Sequence, residues 1–381
     1  MHVLVAPDCF TGTLTASQAA DAVAEGWRRA APGDRLDLVP LSDGGPGFVE
    51  VLHAALGGRL LAVTVPGPLG DPTPASVLVV DGDPDGGSDG RPTTAYVESA
   101  QACGLHLVPP DRRDPGRTST AGVADLLTAA RQTGASRIVI GLGGSGTNDA
   151  GAGMLAALAG ASPLTGGDAV AGITTADLAF LPDLVREWSG VELVAASDVD
   201  VPLLGFHGAS AGYAEQKGAT PEQAQRLERA LADAAIAACD VLGVPRKLAS
   251  TPGAGAAGGL GFALLLLGAT RLPGAATVLD AVRFDERVRE ADLLVTGEGC
   301  FDWQSLRGKV VAGAAARAMG TGTPVVVIAG QVLVGRREAL AAGVETAYPV
   351  ARTPAEVARA LADPHGTLAA RAERVARTWS H

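Results

Sequence analysis

Residues 136–153, SRIVIGLGGSGTNDAGAG, constrain the fold more than any other stretch of this chain. Ile138, Val139 and Ile140 form a β-branched run that suits a buried strand, and it empties into glycines interleaved with Ser145, Thr147, Asn148 and Asp149. Glycines let a backbone turn sharply and approach a ligand, and the free N–H groups that open a following helix favour an anion. The pattern predicts an α/β protein with a buried parallel strand at this point, and a phosphate or carboxylate as the guest of the loop.

A chain of 381 residues exceeds one ordinary core, so two lobes with a cleft are expected. The net charge of -11 argues against a polyanionic partner, so no nucleic acid is expected. The longest strongly apolar run, 262–267, is too short to span a bilayer, and no membrane partner is expected. The opening MHVLVAPDCF has no basic start and breaks at Pro7, so it reads as a first strand of a cytoplasmic protein and not as a signal peptide. Cys9, Cys103, Cys239 and Cys300 are widely spaced, which predicts reduced thiols without a zinc site. The only lysines are Lys217, Lys247 and Lys309, and Lys217 and Lys309 adjoin glycine in polar loops, where a compact charge suits a phosphate.

Along the chain the reading begins with a strand at 3–6 and a helix at 16–30 opened by a Thr15/Gln18 capping box. A strand at 35–41, a loop at 42–47 and a helix at 48–56 repeat the unit, which places Asp8 and Asp43 at equivalent strand ends facing one pocket. Residues 81–92 read as an acidic, solvated loop, and 221–242 as a long helix started by Thr220, Pro221 and Gln223. The glycine-rich run 253–268 is expected to be a close-packed helix, since no strand precedes it. Alternation returns with a strand at 293–296, a helix at 305–319, strands at 325–329 and 346–350, and a final helix capped by Thr353 and Glu356. This end resembles the beginning more than the middle. A discontinuous domain of residues 1–66 and 275–381, with 67–274 inserted, is therefore expected.

Four acidic loops follow strand-like runs: Asp8, Asp43, Asp198 with Asp200, and Glu298 with Asp302. Carboxylates at strand ends can hold Mg²⁺ beside substrate phosphates or take a proton from a hydroxyl nucleophile, which is the equipment of phosphoryl transfer. A Walker sequence and a Rossmann glycine fingerprint are absent, so ATP would bind through another fold and a nicotinamide enzyme is not expected. The six histidines share no metal-ligand spacing, and no GxSxG elbow is present.

With these residues assembled, the chain resembles the bacterial glycerate kinase family that makes 2-phosphoglycerate. The resembling segments are VAPDCFTGTLTA, PLSDGGPG, IGLGGSGTNDAGAGML, ASDVD, EQKGAT, PGAGAAGGLG, and TGEGCFDWQSLRGK followed by PVVVIAG. The resemblance implies an ATP- and Mg²⁺-dependent kinase for the 2-hydroxyl of D-glycerate. It also implies a flavodoxin-like domain built from both chain ends and an inserted second α/β domain. In that reading Asp43 or Asp8 is the base, while Asp198, Asp200 and Glu298 hold the metal, with the roles exchangeable. Gly143, Gly144, Ser145, Thr147 and Asn148 hold an anion, Lys217 and Lys309 neutralise charge, and Asp302 and Gln304 join the nucleotide site.

The family's usual lysine, glutamate, asparagine, arginine and small hydroxyl residue are replaced by Thr11, Pro46, Val201, Cys300 and Trp303. Arg112, Arg113, Arg117 and Arg307 are the candidates to restore the lost charge. The departures leave open a kinase for a related small hydroxy acid, and a catalytically silent homologue that binds small anions. A non-kinase reaction at retained phosphate loops ranks behind these.

Overall fold

The computed structural model describes residues 1–10, 12–82, 92–306 and 308–380. Thr11, Arg307 and most of the acidic 81–92 loop lie outside the described residues. The chain divides into two compact units, one of Met1–Asp43, Glu50–Leu56 and Pro273–His381, the other of Gly44–Val49 and Gly57–Leu272.

In the first unit, five parallel strands are formed by His2–Val5, Arg35–Leu38, Leu293–Thr296, Val325–Ala329 and Thr346–Pro349. Their spatial order, counted along the chain, is 2-1-3-4-5, which is the flavodoxin-like arrangement. Every residue of Val325–Ala329 is buried, as a strand in an all-parallel sheet requires. Helix Ala16–Ala30 begins at the Thr15/Gln18 capping box and presents Ala19, Ala22, Val23 and Trp27 to the core. Helix Pro364–Trp379 adds Leu368, Ala372 and Val375 to the same cluster.

The second unit carries a six-stranded mixed sheet whose strands lie side by side in chain order: Arg59–Pro66, Pro72–Val80, Thr94–Glu98, Arg137–Gly141, Glu192–Ala196 and Thr270–Leu272. The first three pair antiparallel and the last four parallel. Ile138 and Ile140 of the central strand pack with Leu126, Leu127 and Phe262.

Three expectations change. Arg59–Pro66 pairs with Pro72–Val80, so residues 57–66 lie with the inserted unit and not with the first segment. The helix expected at 305–319 runs from Val310 to Thr321, because the Asp302 carboxylate closes a turn at Gln304 and Ser305 and Gly308 adopts φ +89°. The Thr353/Glu356 capping box opens helix Pro354–Ala362, which is followed by one more helix, Pro364–Trp379.

Candidate functional site

In the larger unit the strand Arg137–Gly141 delivers the glycine loop to the carboxyl edge of its parallel strands, between Thr94–Glu98 and Glu192–Ala196. The exit is pinned on both sides. Ser99 Oγ donates to the Gly141 carbonyl (2.7 Å), and the Leu142 N–H donates to the Ala196 carbonyl (3.0 Å). Gly143 donates its N–H to the Gly44 carbonyl (3.0 Å), and a Cβ on Gly143 would stand 2.4 Å from the Gly45 Cα, so only glycine permits this crossing. The SDGGPG loop is held in turn by Glu98, a buried acid whose Oε2 accepts from the N–H groups of Gly47 (3.2 Å) and Val49 (3.3 Å).

Beneath the loop lies Lys217, only 3% exposed. Its Nζ donates to Ser145 Oγ (3.1 Å) and to the Thr147 carbonyl (2.7 Å), which leaves one of its three N–H donors for another group. Burial lowers its pKa to about 8, an effect that the nearby Asp149 opposes. Cys103 is pushed up to about 12 by burial and by Asp149, so it stays a neutral thiol.

The remaining members of the predicted anion cradle divide. Gly143 is partly exposed, Gly144 exposed and Ser145 at the buried margin. Thr147 and Asn148 are fully enclosed. Asn148 Nδ2 donates to Ser210 Oγ (3.0 Å), and the Thr147 hydroxyl faces the Ala257 carbonyl (3.5 Å). Both side chains thus have partners within the unit, while Asn148 Oδ1 is buried with no hydrogen-bond partner among the described residues.

Asp149, fully buried, is a structural acid. Its Oδ2 accepts from the Thr120 N–H (2.9 Å) and hydroxyl (2.9 Å), and its Oδ1 from the Gly151 N–H (3.0 Å). Burial raises its pKa against those hydrogen bonds.

The run 253–268 is close-packed as expected but is not a helix throughout. Ala257, Gly258 and Gly259 have positive φ at the start of Ala256–Leu266. The Gly258 carbonyl accepts from Ala150 N–H (3.1 Å). A Cβ on Gly258 would lie 1.9 Å from the Thr147 carbonyl oxygen.

Elsewhere in this unit, Asp198 is partly buried and Asp200 exposed just beyond strand Glu192–Ala196. The Val201 carbonyl accepts from Gly253 (3.2 Å) and Gly255 (3.0 Å). Arg112 and Arg117 are exposed, and Arg113 Nε donates to the Val108 carbonyl (3.4 Å).

The smaller unit gathers acids at the carboxyl edge of its sheet. Asp8 follows the first strand, Asp43 the second and Glu298 the third, and in the 2-1-3-4-5 order the first and third strands flank the point where ligands bind such sheets. Asp8 Oδ1 accepts from the Cys9 N–H (2.7 Å). Its pKa is raised well above the ordinary aspartate value, first by burial and then by the charge of Asp43 and, less, of Glu298. Glu298 is raised to about 7, chiefly by burial, while the Ser305 hydroxyl and Lys309 hold it down and Asp302 and Asp43 push it up. Its Oε1 is buried and has no hydrogen-bond partner among the described residues.

Asp302 spends its Oδ1 on the N–H groups of Gln304 (2.8 Å) and Ser305 (3.4 Å), so it shapes the turn, and Gln304 is exposed. Lys309 stands at the cap of helix Val310–Thr321. Cys300 lies in a two-residue ribbon paired with Gln331, and Trp303 is 61% exposed. Among the described residues no three His, Cys, Asp or Glu side chains stand together ready to hold a metal. Mg²⁺ needs only one or two carboxylates beside waters and phosphates.

Sequence reasoning missed Glu98, Thr120 and the Gly258 buttress. Their partners lie 51, 29 and roughly a hundred residues away in the chain, and only the buried acid in TTAYVE offered a hint.

A flavodoxin-like unit with gathered carboxylates, joined to an α/β unit with a glycine loop over a buried ammonium, defines an enzyme of the kind that handles small phosphorylated or carboxylated molecules. The chain belongs to the glycerate kinase family, whose model matches residues 3–380. It is 41% identical to a glycerate kinase of Bacillus subtilis over 87% of this chain and 85% of that protein. It is 38% identical to a glycerate 2-kinase of Escherichia coli over 87% and 86%. The crystal structure of a candidate glycerate kinase 2 from Salmonella typhimurium LT2 superposes with a TM-score of 0.75 at 35% identity, covering 99% of this chain and 98% of that one. No helix among the described residues is long and apolar enough to cross a membrane.

Proposed function

We propose that this protein transfers the γ-phosphoryl group of ATP to the 2-hydroxyl of D-glycerate, giving 2-phosphoglycerate and ADP. The observation that carries the reading is the gathering of Asp8, Asp43 and Glu298, whose charges oppose one another. Such a cluster calls for a cation and a proton, and a kinase substrate complex brings both.

In this reading Asp8, in its ionised form, accepts the proton of the acceptor hydroxyl as that oxygen bonds to the γ-phosphorus and the bond to the departing ADP oxygen breaks. Asp43 is the alternative base. Mg²⁺, when bound, neutralises charge on the β- and γ-phosphates. Glu298, with its orphaned Oε1, fits it best, and Asp198 and Asp200 remain candidates for the same role. Gly144 and Ser145 offer N–H and hydroxyl groups to a carboxylate or phosphate, with Gly143, whose N–H is given to Gly44, setting their position and the Lys217 charge beneath them. Lys309 lies close enough to Glu298 to favour its charged form and serves the phosphates.

A second reading has its own observation. Cys300, where the family usually has arginine, has its thiol pKa raised by burial and the neighbouring acids, so that position is uncharged. This favours a related hydroxy acid whose recognition does not need the arginine, or a silent anion-binding homologue.

The test is ADP release with ATP, Mg²⁺ and D-glycerate, with the phosphate located on the product by NMR. Asp8→Asn, Asp43→Asn and Glu298→Gln are each expected to lose at least about 10²-fold in kcat. Ordinary turnover in all three variants refutes the reading, and ligand-induced stabilisation without turnover on any hydroxy acid supports the silent homologue.

A further inference from the structure

The smaller unit has a cavity of about 300 Å³ lined by Gln331, Val332, Leu333, Pro349, Ala351 and Arg352. The geometry points to this cavity as the pocket for the base and ribose of an adenine nucleotide, an inference that rests on the kinase reading above.

Position is the first reason. The cavity lies where strands Val325–Ala329 and Thr346–Pro349 end, at the carboxyl edge of the flavodoxin-like sheet. Its walls are tied by backbone hydrogen bonds to the acid-bearing loop. Gly330 N–H donates to the Glu298 carbonyl (3.1 Å), Gln331 N–H to Gly299 (3.1 Å), Leu333 N–H to Phe301 (2.8 Å), and Ala351 N–H to Gly330 (3.0 Å). The backbone of the cavity wall therefore connects, through Gly330, to the residue that carries the Glu298 carboxylate. A single nucleotide can therefore meet both along one edge of the sheet.

The lining is the second. Val332, Leu333, Pro349 and Ala351 make apolar walls, and the Gln331 amide and Arg352 guanidinium supply polar groups. A flat heterocycle with hydrogen-bonding edges uses both kinds of surface, whereas glycerate or a free phosphate leaves the apolar walls bare. Arg352 gives its backbone N–H to Glu356 Oε2 (2.7 Å) and stays exposed, so its guanidinium can stack on an aromatic ring.

Exposure is the third. Leu333 at 63% and Trp303 at 61% are two of the most exposed large apolar side chains in the unit. They flank the same ribbon, in which Cys300–Phe301 pairs with Gln331–Val332. Leu333 lines the cavity, and an exposed apolar wall of this kind suits a surface that a ligand covers.

Calorimetry with ADP as the probe tests this without turnover. Leu333→Glu and Arg352→Glu put negative charge at the pocket, and each is expected to weaken ADP binding at least tenfold and raise the KM for ATP in step, with the KM for glycerate changed less than twofold. Trp303→Ala is expected to remove a fluorescence change that ADP produces in the wild type. Ile236→Glu, an exposed site on helix Pro221–Leu242 of the other unit, controls for added charge. Wild-type ADP affinity in both charge variants overturns the inference and leaves the kinase reading standing. ADP binding that depends on Leu333, with no hydroxy acid phosphorylated, upholds the pocket and overturns the kinase reading. No ADP binding by the wild type overturns both. If Leu333→Glu instead converts a dimer to a monomer at unchanged ADP affinity, the apolar surface belongs to a second copy and the inference falls.

Discussion

Replacing Lys217 by methionine isolates the energetics of the buried ammonium. A lysine held at about 8, against 10.5 when free, is costly to keep charged in the fold. At about 1.4 kcal/mol per pH unit that cost is about 3 kcal/mol. The sign follows from proton counting. Below pH 8 both states hold the proton and this group adds no slope. Between about 8 and 10.5 the unfolded chain holds a proton that the native protein has released, so wild-type stability rises with pH. Lys217→Met lacks that rise. At pH 7 its net effect is small, because relief of the buried charge offsets the loss of donors to Ser145 Oγ and the Thr147 carbonyl, about 1–3 kcal/mol for each group left unpaired. Urea unfolding of both proteins at pH 7, 8, 9 and 10 reads the effect as a difference curve in which other titrating groups cancel. The wild type should gain about 2–3 kcal/mol relative to the variant across that range. An anion bound over Ser145 should flatten the wild-type curve by restoring the lysine's pKa. A difference independent of pH refutes the idea that Lys217 is an uncompensated charge.

Gly258→Ala meets the Thr147 carbonyl and a left-handed backbone at once, so it should destabilise the larger unit by at least about 3 kcal/mol in urea unfolding and weaken anion binding with it. Asp149→Ala strands the N–H groups of Thr120 and Gly151 in a dry interior and should cost about 3–5 kcal/mol by the same measurement. Glu298, held near 7, binds a proton in the fold that it releases at ordinary acidity when unfolded, so wild-type stability should fall between pH 4.5 and 7. Glu298→Gln should therefore raise Tm at pH 8 and leave it unchanged at pH 4, a contrast that scanning calorimetry resolves.

The strands and the loops that carry acids were legible because buried parallel strands are apolar from end to end. The runs at 138–140, 293–295 and 325–329 have no other use in a chain of this charge. Capping boxes at Thr15/Gln18 and Thr353/Glu356 marked helix starts for the same reason of local chemistry. What stayed hidden depends on contacts between distant segments. Thr147 and Asn148 look like exposed ligand groups in a list of small polar residues, and only the structure shows their burial and the packing of Ala257 and Ser210 against them. The burial of Lys217 is likewise invisible in EQKGAT, a polar string by composition. The helix at 310 starts late because a side chain, Asp302, satisfies N–H groups that the periodicity had assigned to a helix.

The buttress at Gly258 also bears on how the molecule is made. The loop at 143–148 leaves the ribosome more than a hundred residues before the segment whose carbonyl groups hold it from behind. Until that segment arrives, the glycines of the loop pay their full conformational entropy without a supporting wall. The loop at 143–148 is therefore expected to be completed late, because the contacts that hold it are distant in the chain. A chain ending before residue 256 carries the GGSGTN motif without the carbonyl groups of Ala257 and Gly258 that pack behind it.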